Sequence, residues 1–133
     1  MAVGGDIIEV TFNHPTIGSG TFFPKSSESS SYDTGGFRSK DESNAIDGSG
    51  TPIDTMNQVR GMFECTVSND MNTNQDLEKA AALAASPVPA TWTFSVINGV
   101  SYSGSGKPVG DLNADIDKAT FKLKVSGGKF TKI

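Results

Sequence analysis

Few residues in this chain offer chemistry, and their spacing decides what each can do. Asp111, Asn113, Asp115 and Asp117 recur at every second position, the opening rhythm of a calcium loop. The rhythm then fails. Ile116 stands where such a loop needs glycine, and Lys122 where it needs a bidentate glutamate. Leu112, Ala114 and Ile116 alternate with the acids, so a strand with a solvated acidic face is expected instead. His14 is the only histidine, and Pro15 follows it. No Ser/His/Asp or Cys/His set can be assembled around it, and a role in a turn is expected. Cys65 is the only cysteine, so no intramolecular disulfide can form. It keeps phase with Val59, Phe63 and Val67, which predicts a buried, non-catalytic thiol.

The remaining constellations are weaker still. Gly48-Ser49-Gly50 and Gly104-Ser105-Gly106-Lys107 lack the spacing and strand-to-helix setting of a phosphate loop and read as turns. Trp92, Tyr32 and Tyr102 are the only residues suited to a sugar-stacking platform, and Trp92 is in phase with Phe94 and Val96, which places it in a core. Asp41-Glu42 lies in a segment too polar to hold a fixed catalytic geometry. No enzyme activity, cofactor or metal is expected from these residues.

Positioning elements follow from periodicity. The 133 residues fit one domain spanning 1–133, with 35 % hydrophobic residues and a modest core. Fifteen glycines with many Ser and Thr suit a β protein rich in turns. The net charge of -4 argues against a basic nucleic-acid surface. The start, MAVGGDIIEV, has neither a basic leader nor a long apolar run, so no secretory signal and no membrane span are expected, and folding in a cytoplasm is. Asp6 to Phe12 predicts a strand with Ile8, Val10 and Phe12 inward; after the break at His14-Pro15, Thr21 to Phe23 completes a first hairpin. Gln58 to Ser68 alternates as one strand, with Val59, Gly61, Phe63, Cys65 and Val67 on its dry face. Asn74 to Ser86 predicts the one helix, with a stripe of Leu77, Ala80, Ala81 and Ala84, Leu83 at its margin, a capping box of Thr73 with Asp76, and Pro87 as its stop. Ala90 to Ile97 and Val100 to Ser105 form a hairpin across Asn98-Gly99, expected as a two-residue turn. Ala119 to Val125 closes the set. The expected fold is mostly β: a small antiparallel sandwich or barrel with one flanking helix.

One segment does not fit a closed domain. Lys25 to Asn57 is polar, and about thirty structureless residues are unusual inside a compact domain. Such a stretch (26–57) cannot bury enough of its own apolar surface to offset its ordering entropy, so it is expected to be mobile alone and to order against another copy.

Asp33-Thr34-Gly35-Gly36-Phe37-Arg38, then Gly48-Ser49-Gly50-Thr51-Pro52-Ile53, then the strand Val59 to Val67, an alanine-rich helix, a Trp/Phe strand and a Lys-rich closing strand follow one another in a layout that resembles phage tail tube proteins of contractile tails. The type VI secretion tube protein is similar in architecture. The resemblance covers most of the chain and lies in layout and a few Gly and Arg positions. It implies a β-sandwich or barrel whose copies form hexameric rings, stacked into a hollow tube that conducts DNA without specific binding. It implies a virion tail assembled in the host cytoplasm, with a sheath and baseplate proteins as further partners. Asp33, Gly35, Gly36 and Arg38 become candidates for inter-subunit contact, the glycines through a sharp turn or close backbone approach and Arg38 through a salt bridge. Arg60, Glu64, Lys122 and Lys124 become candidates for the lumen wall, because the opposite faces of their strands are apolar. Charge balance is expected between Arg60 and Glu64, and between the lysines and an acid such as Glu9 on a neighbouring strand. The competing classes are a carbohydrate-binding or adhesin-like β module and a small hydrolase.

Overall fold

Strands form where aromatic and β-branched residues alternate with polar ones, and the chain carries that pattern on both sides of its polar stretch. A computed structural model describes residues 2–70, 72 and 75–133. In chain order its elements are β1 (Ile7–His14), β2 (Gly18–Phe22), β3 (Ser31–Asp33), β4 (Gly36–Arg38), β5 (Ala45–Ile46), β6 (Pro52–Ile53), β7 (Asn57–Val59), β8 (Gly61–Ser68), α1 (Asp76–Ala85), β9 (Ala90–Val96), β10 (Ser101–Pro108), β11 (Ala114–Asp115), β12 (Thr120–Gly127) and β13 (Thr131–Lys132). The protein is mostly β with one flanking α-helix among the described residues, as its composition predicts.

The main sheet is antiparallel, in the order β2-β1-β9-β10-β12-β8-β3, with β11 beside β12 and β13 beside β10. It closes on itself. The chain leaving β2 returns to β8 through the bridge between Pro24 and Val67, with Lys25 N–H donating to Thr66 O at 2.8 Å and Ser68 N–H to Phe23 O at 3.0 Å. Strands β2, β1, β9, β10, β12 and β8 therefore form a barrel, the second of the two architectures the sequence left open.

The barrel interior is aromatic. Trp92 is fully buried against Phe12, Phe22 and Phe63, with ring centroids 5.6, 6.1 and 6.0 Å away, and its indole N–H donates to Gly106 O at 3.0 Å. Val10, Cys65, Val67, Phe94, Phe121, Leu123 and Val125 fill the remainder. Phe130, which periodicity did not single out, seals one end. It packs on Phe63 and Phe94, each 5.7 Å away, and lies so close over Gly104 and Gly61 that a Cβ on either would meet its ring at 2.7 or 2.6 Å. Its N–H donates to Thr34 O at 2.9 Å.

Several expectations change. Ile8 is 51 % exposed, because a β-bulge between Ile7 and Glu9 turns Ile7 inward in its place. The run from Gln58 to Ser68 is two strands, broken at Arg60 where the chain crosses from the small β4–β7 sheet to the barrel. The helix buries Asp76, Ala80 and Leu83, with Leu77 partly buried against the core, while Ala81 faces solvent; Leu83, expected only at the margin of the stripe, is one of its anchors. The expected cap at Thr73 and the start at Asn74 lie outside the described residues. The Asn98-Gly99 turn holds three residues, with Val96 N–H on Val100 O at 3.0 Å and Gly99 at φ 84°. The acidic run is strand only at Ala114–Asp115, and Ile116 is 75 % exposed.

The two ends of the barrel differ. Neighbouring strands are antiparallel, so β1, β10 and β8 begin at one end, together with the β9–β10 turn and the segment carrying Phe130. The β1–β2 turn lies at the other end. His14 joins that turn to the segment after α1: its Nδ1 accepts from the N–H groups of Thr16 and Ile17, both at 3.1 Å, so Nε2 carries the proton toward Ser86 Oγ and Val88 O, both at 3.0 Å.

Candidate functional site

The polar stretch is not structureless. Residues 36–59 form a β-hairpin arm that leaves the barrel beside the start of β8. At its base β4 pairs with β7, in the register Gly36 to Val59, Phe37 to Gln58 and Arg38 to Asn57. Farther out β5 pairs with β6, Ala45 with Ile53 and Ile46 with Pro52. Between the two pairs, Asn44 ties the runs together by accepting from Thr55 N–H at 3.1 Å and from the Ser39 hydroxyl at 3.0 Å. The tip turns tightly through Asp47, whose Oδ1 accepts from the Ser49 and Thr51 N–H groups at 2.9 and 3.0 Å.

Asp33 organises the base. Its Oδ2 accepts from Arg38 Nη1 at 2.6 Å, its Oδ1 pairs with Arg38 Nη2, and the same Oδ1 accepts from Gly35 N–H at 2.9 Å. The Arg38 guanidinium, and after it the Gly35 N–H, hold this carboxyl down to about 2. Gly35 has φ 75°, and a Cβ there would meet Gly61 N and Val59 O at 2.6 Å. The close backbone approach expected of Gly35 is thus made to its own chain, and Gly36 follows with φ 102°. Asp33, Gly35, Gly36 and Arg38 come together as one hinge-like knot at the root of the arm.

The arm has little to hold it. Phe37, Ile46, Ile53 and Met56 are 64, 67, 49 and 60 % exposed, and none of them belongs to the core. The sequence marks Phe37 and Ile53 only as parts of the tail-tube layout and gives Ile46 and Met56 no role, because polar neighbours hide all four. The signal was the Asp47-Gly48 dipeptide between Ala45-Ile46 and Pro52-Ile53, a hairpin turn flanked by apolar residues.

The four wall candidates lie on the outer face of β8 and β12 and at the β7–β8 break. Lys122 Nζ lies 3.6 Å from Glu64 Oε1, diagonal in the register that sets Lys124 opposite Glu64. Lys124 and Arg60 are exposed, and Arg60 Nη2 donates to Ser126 O at 3.3 Å. Glu64 is therefore balanced by Lys122 rather than by Arg60. Glu9 does not serve, because β9 and β10 separate β1 from β12.

The remaining candidates take structural places. Cys65 is fully buried, and burial first, then the nearby Glu64 charge, push its thiol up to about 12. Trp92 is core and offers no ring to a sugar. Tyr32, 43 % exposed, and Tyr102 remain paired with centroids 5.1 Å apart, beside a cleft of about 540 Å³ between residues 3–7 and the β9–β10 turn. Among the described residues, no group of three or more His, Cys, Asp or Glu side chains is placed to hold a metal ion, and no helix is long and apolar enough to cross a membrane. No protein-family model matches the chain, and no curated protein matches it by sequence.

Proposed function

We propose that this chain is a structural, non-enzymatic subunit that polymerises into stacked hexameric rings, forming the hollow tail tube through which a contractile-tailed phage delivers DNA. The observation that carries the reading is the arm. A two-stranded hairpin with pairs this short is marginal in water, yet this one projects from a closed barrel and displays four large apolar side chains. Such a segment is suited to ordering on a neighbouring copy. The layout resemblance to tail tube proteins supplies the ring, the tube and the expected partners: the chain itself, a sheath and baseplate proteins, in a virion tail assembled in the host cytoplasm. On the candidate wall Glu64 offsets Lys122, while Lys124 and Arg60 stay exposed, so the wall is partly balanced and holds DNA phosphates less than a wall of free cations would.

Negative-stain electron microscopy of the purified chain tests this reading. Hollow rings or tubes are expected, and particles that stay monomeric at high concentration would overturn it. Tyr32, exposed beside the half-buried Tyr102, favours a second reading, a carbohydrate-binding module. That reading requires a monomer that binds glycans and loses them on Tyr32→Ala.

A further inference from the structure

We propose that copies join head to tail by strand addition, the outer edge of β5 in one arm pairing with the open edge of β2 in the next copy. This rests on the self-assembly reading above and names the acceptor for the arm.

Hydrogen-bond alternation identifies the donor edge. Asp47 N–H donates to Thr51 O at 3.0 Å, so those two residues face each other across the hairpin. In an antiparallel pair the next residues, Ile46 and Pro52, then direct their backbone groups outward. Ile46 presents both an N–H and a C=O to solvent. Pro52 has no N–H, which blunts the opposite edge. The arm therefore has one edge fit for pairing, and it carries an Ile46 side chain that is 67 % exposed.

The acceptor edge is β2. One side of Gly18–Phe22 pairs with β1, and among the described residues no strand pairs with the other, since β8 meets the chain only beyond it, at residues 23–25. That edge contains no proline and no charged side chain, the usual guards of an exposed strand. Ile17 and Phe23, 40 and 56 % exposed, bracket it. They offer apolar contact to Ile46 and Ile53, which are 67 and 49 % exposed on the arm.

Position and reach agree. The arm leaves the barrel where β8 begins, while the β1–β2 turn lies at the opposite end. Two different patches at opposite ends make a heterologous contact that propagates in one direction, as stacking requires. The arm spans residues 36–59, and its runs of about twelve residues, the first shortened by a 3-10 turn at Asp41–Ser43, reach at most about 35–40 Å, against about 26 Å for a barrel strand such as β8. It is long enough to pass beyond its own barrel.

Mixed cross-linking tests the pairing. Ile46→Cys and Ser19→Cys are purified separately, mixed under assembly conditions, and treated with a short bismaleimide; Cys65 is buried and serves as the silent background. Cross-linked dimers that contain one copy of each variant are expected, with at most a tenth as much from either variant alone. Ile46→Pro removes the outward N–H and should lower polymer yield at least tenfold with an unchanged melting temperature, whereas Ile46→Val, which keeps it, should assemble. Polymers that form without mixed cross-links, or Ser19→Cys copies that link to each other, would overturn the strand addition and leave self-assembly standing. A wild-type chain that never polymerises would overturn both.

Discussion

Asp33, half-buried at the root of the arm, ties two neighbouring groups with one carboxylate. It holds Arg38 in a forked ion pair and the Gly35 N–H at once, and so fixes the direction in which the arm leaves the barrel. Its lowered carboxyl works with a definite sign. The folded form stays ionised where an unfolded aspartate, with an ordinary value of 3.8, takes up a proton, so its contribution is present above about pH 4 and is lost as pH falls toward 2. A carbon-detected titration should place the Asp33 midpoint near 2, and Arg38→Ala should move it back toward the ordinary value; an unmoved midpoint would mean the pair is not formed in solution. Gly35→Ala sets a methyl against the Val59–Gly61 backbone at a left-handed φ, and should cost about 1–3 kcal/mol in a denaturant melt. Cys65 should resist thiol reagents in the folded protein and react on unfolding. Rapid labelling of the native chain would remove it from the core.

Among the elements, the barrel strands were legible because burial is periodic. Phe63, Cys65 and Val67, or Phe121, Leu123 and Val125, can face inward only if the strand runs as it does. Two features escaped that logic. A bulge shifts phase by one residue, so Ile7 and Ile8, both isoleucine, exchange faces with no trace in the sequence. Phe130 stands alone among Gly and Lys, and no alternation marks it as the seal of the barrel. Phe130→Ala should cost about 3–5 kcal/mol by thermal or denaturant melting, the range for a buried aromatic that leaves a cavity. A cost under 1 kcal/mol would mean that the seal is loose. The arm was half legible. Its polarity announced an unusual segment, while its two short strand pairs were hidden because each is too brief for periodicity to register. Replacing residues 37–58 with a short Gly-Ser link should leave the melting temperature of the barrel nearly unchanged, since the arm adds no residue to the core.

At the scale of the whole molecule, a closed barrel with a projecting arm has two surfaces of opposite character: an outer wall whose charges are partly balanced, and a hairpin whose apolar side chains are uncovered. Glu64 is half-buried on the outer face and its partner Lys122 is exposed, so Glu64→Lys should change folding stability by about 1 kcal/mol at most and leave assembly intact, while adding an unpaired cation to the wall. Failure to assemble with the fold intact would place that wall at a contact between copies. The central claim is that the arm takes its order from a neighbouring copy, and amide hydrogen exchange across residues 36–59, compared between monomer and polymer, tests it most directly. Fast exchange in the monomer and at least roughly tenfold slower exchange in the polymer, greatest around Ile46, is the predicted result. Equal rates in the two forms would contradict it.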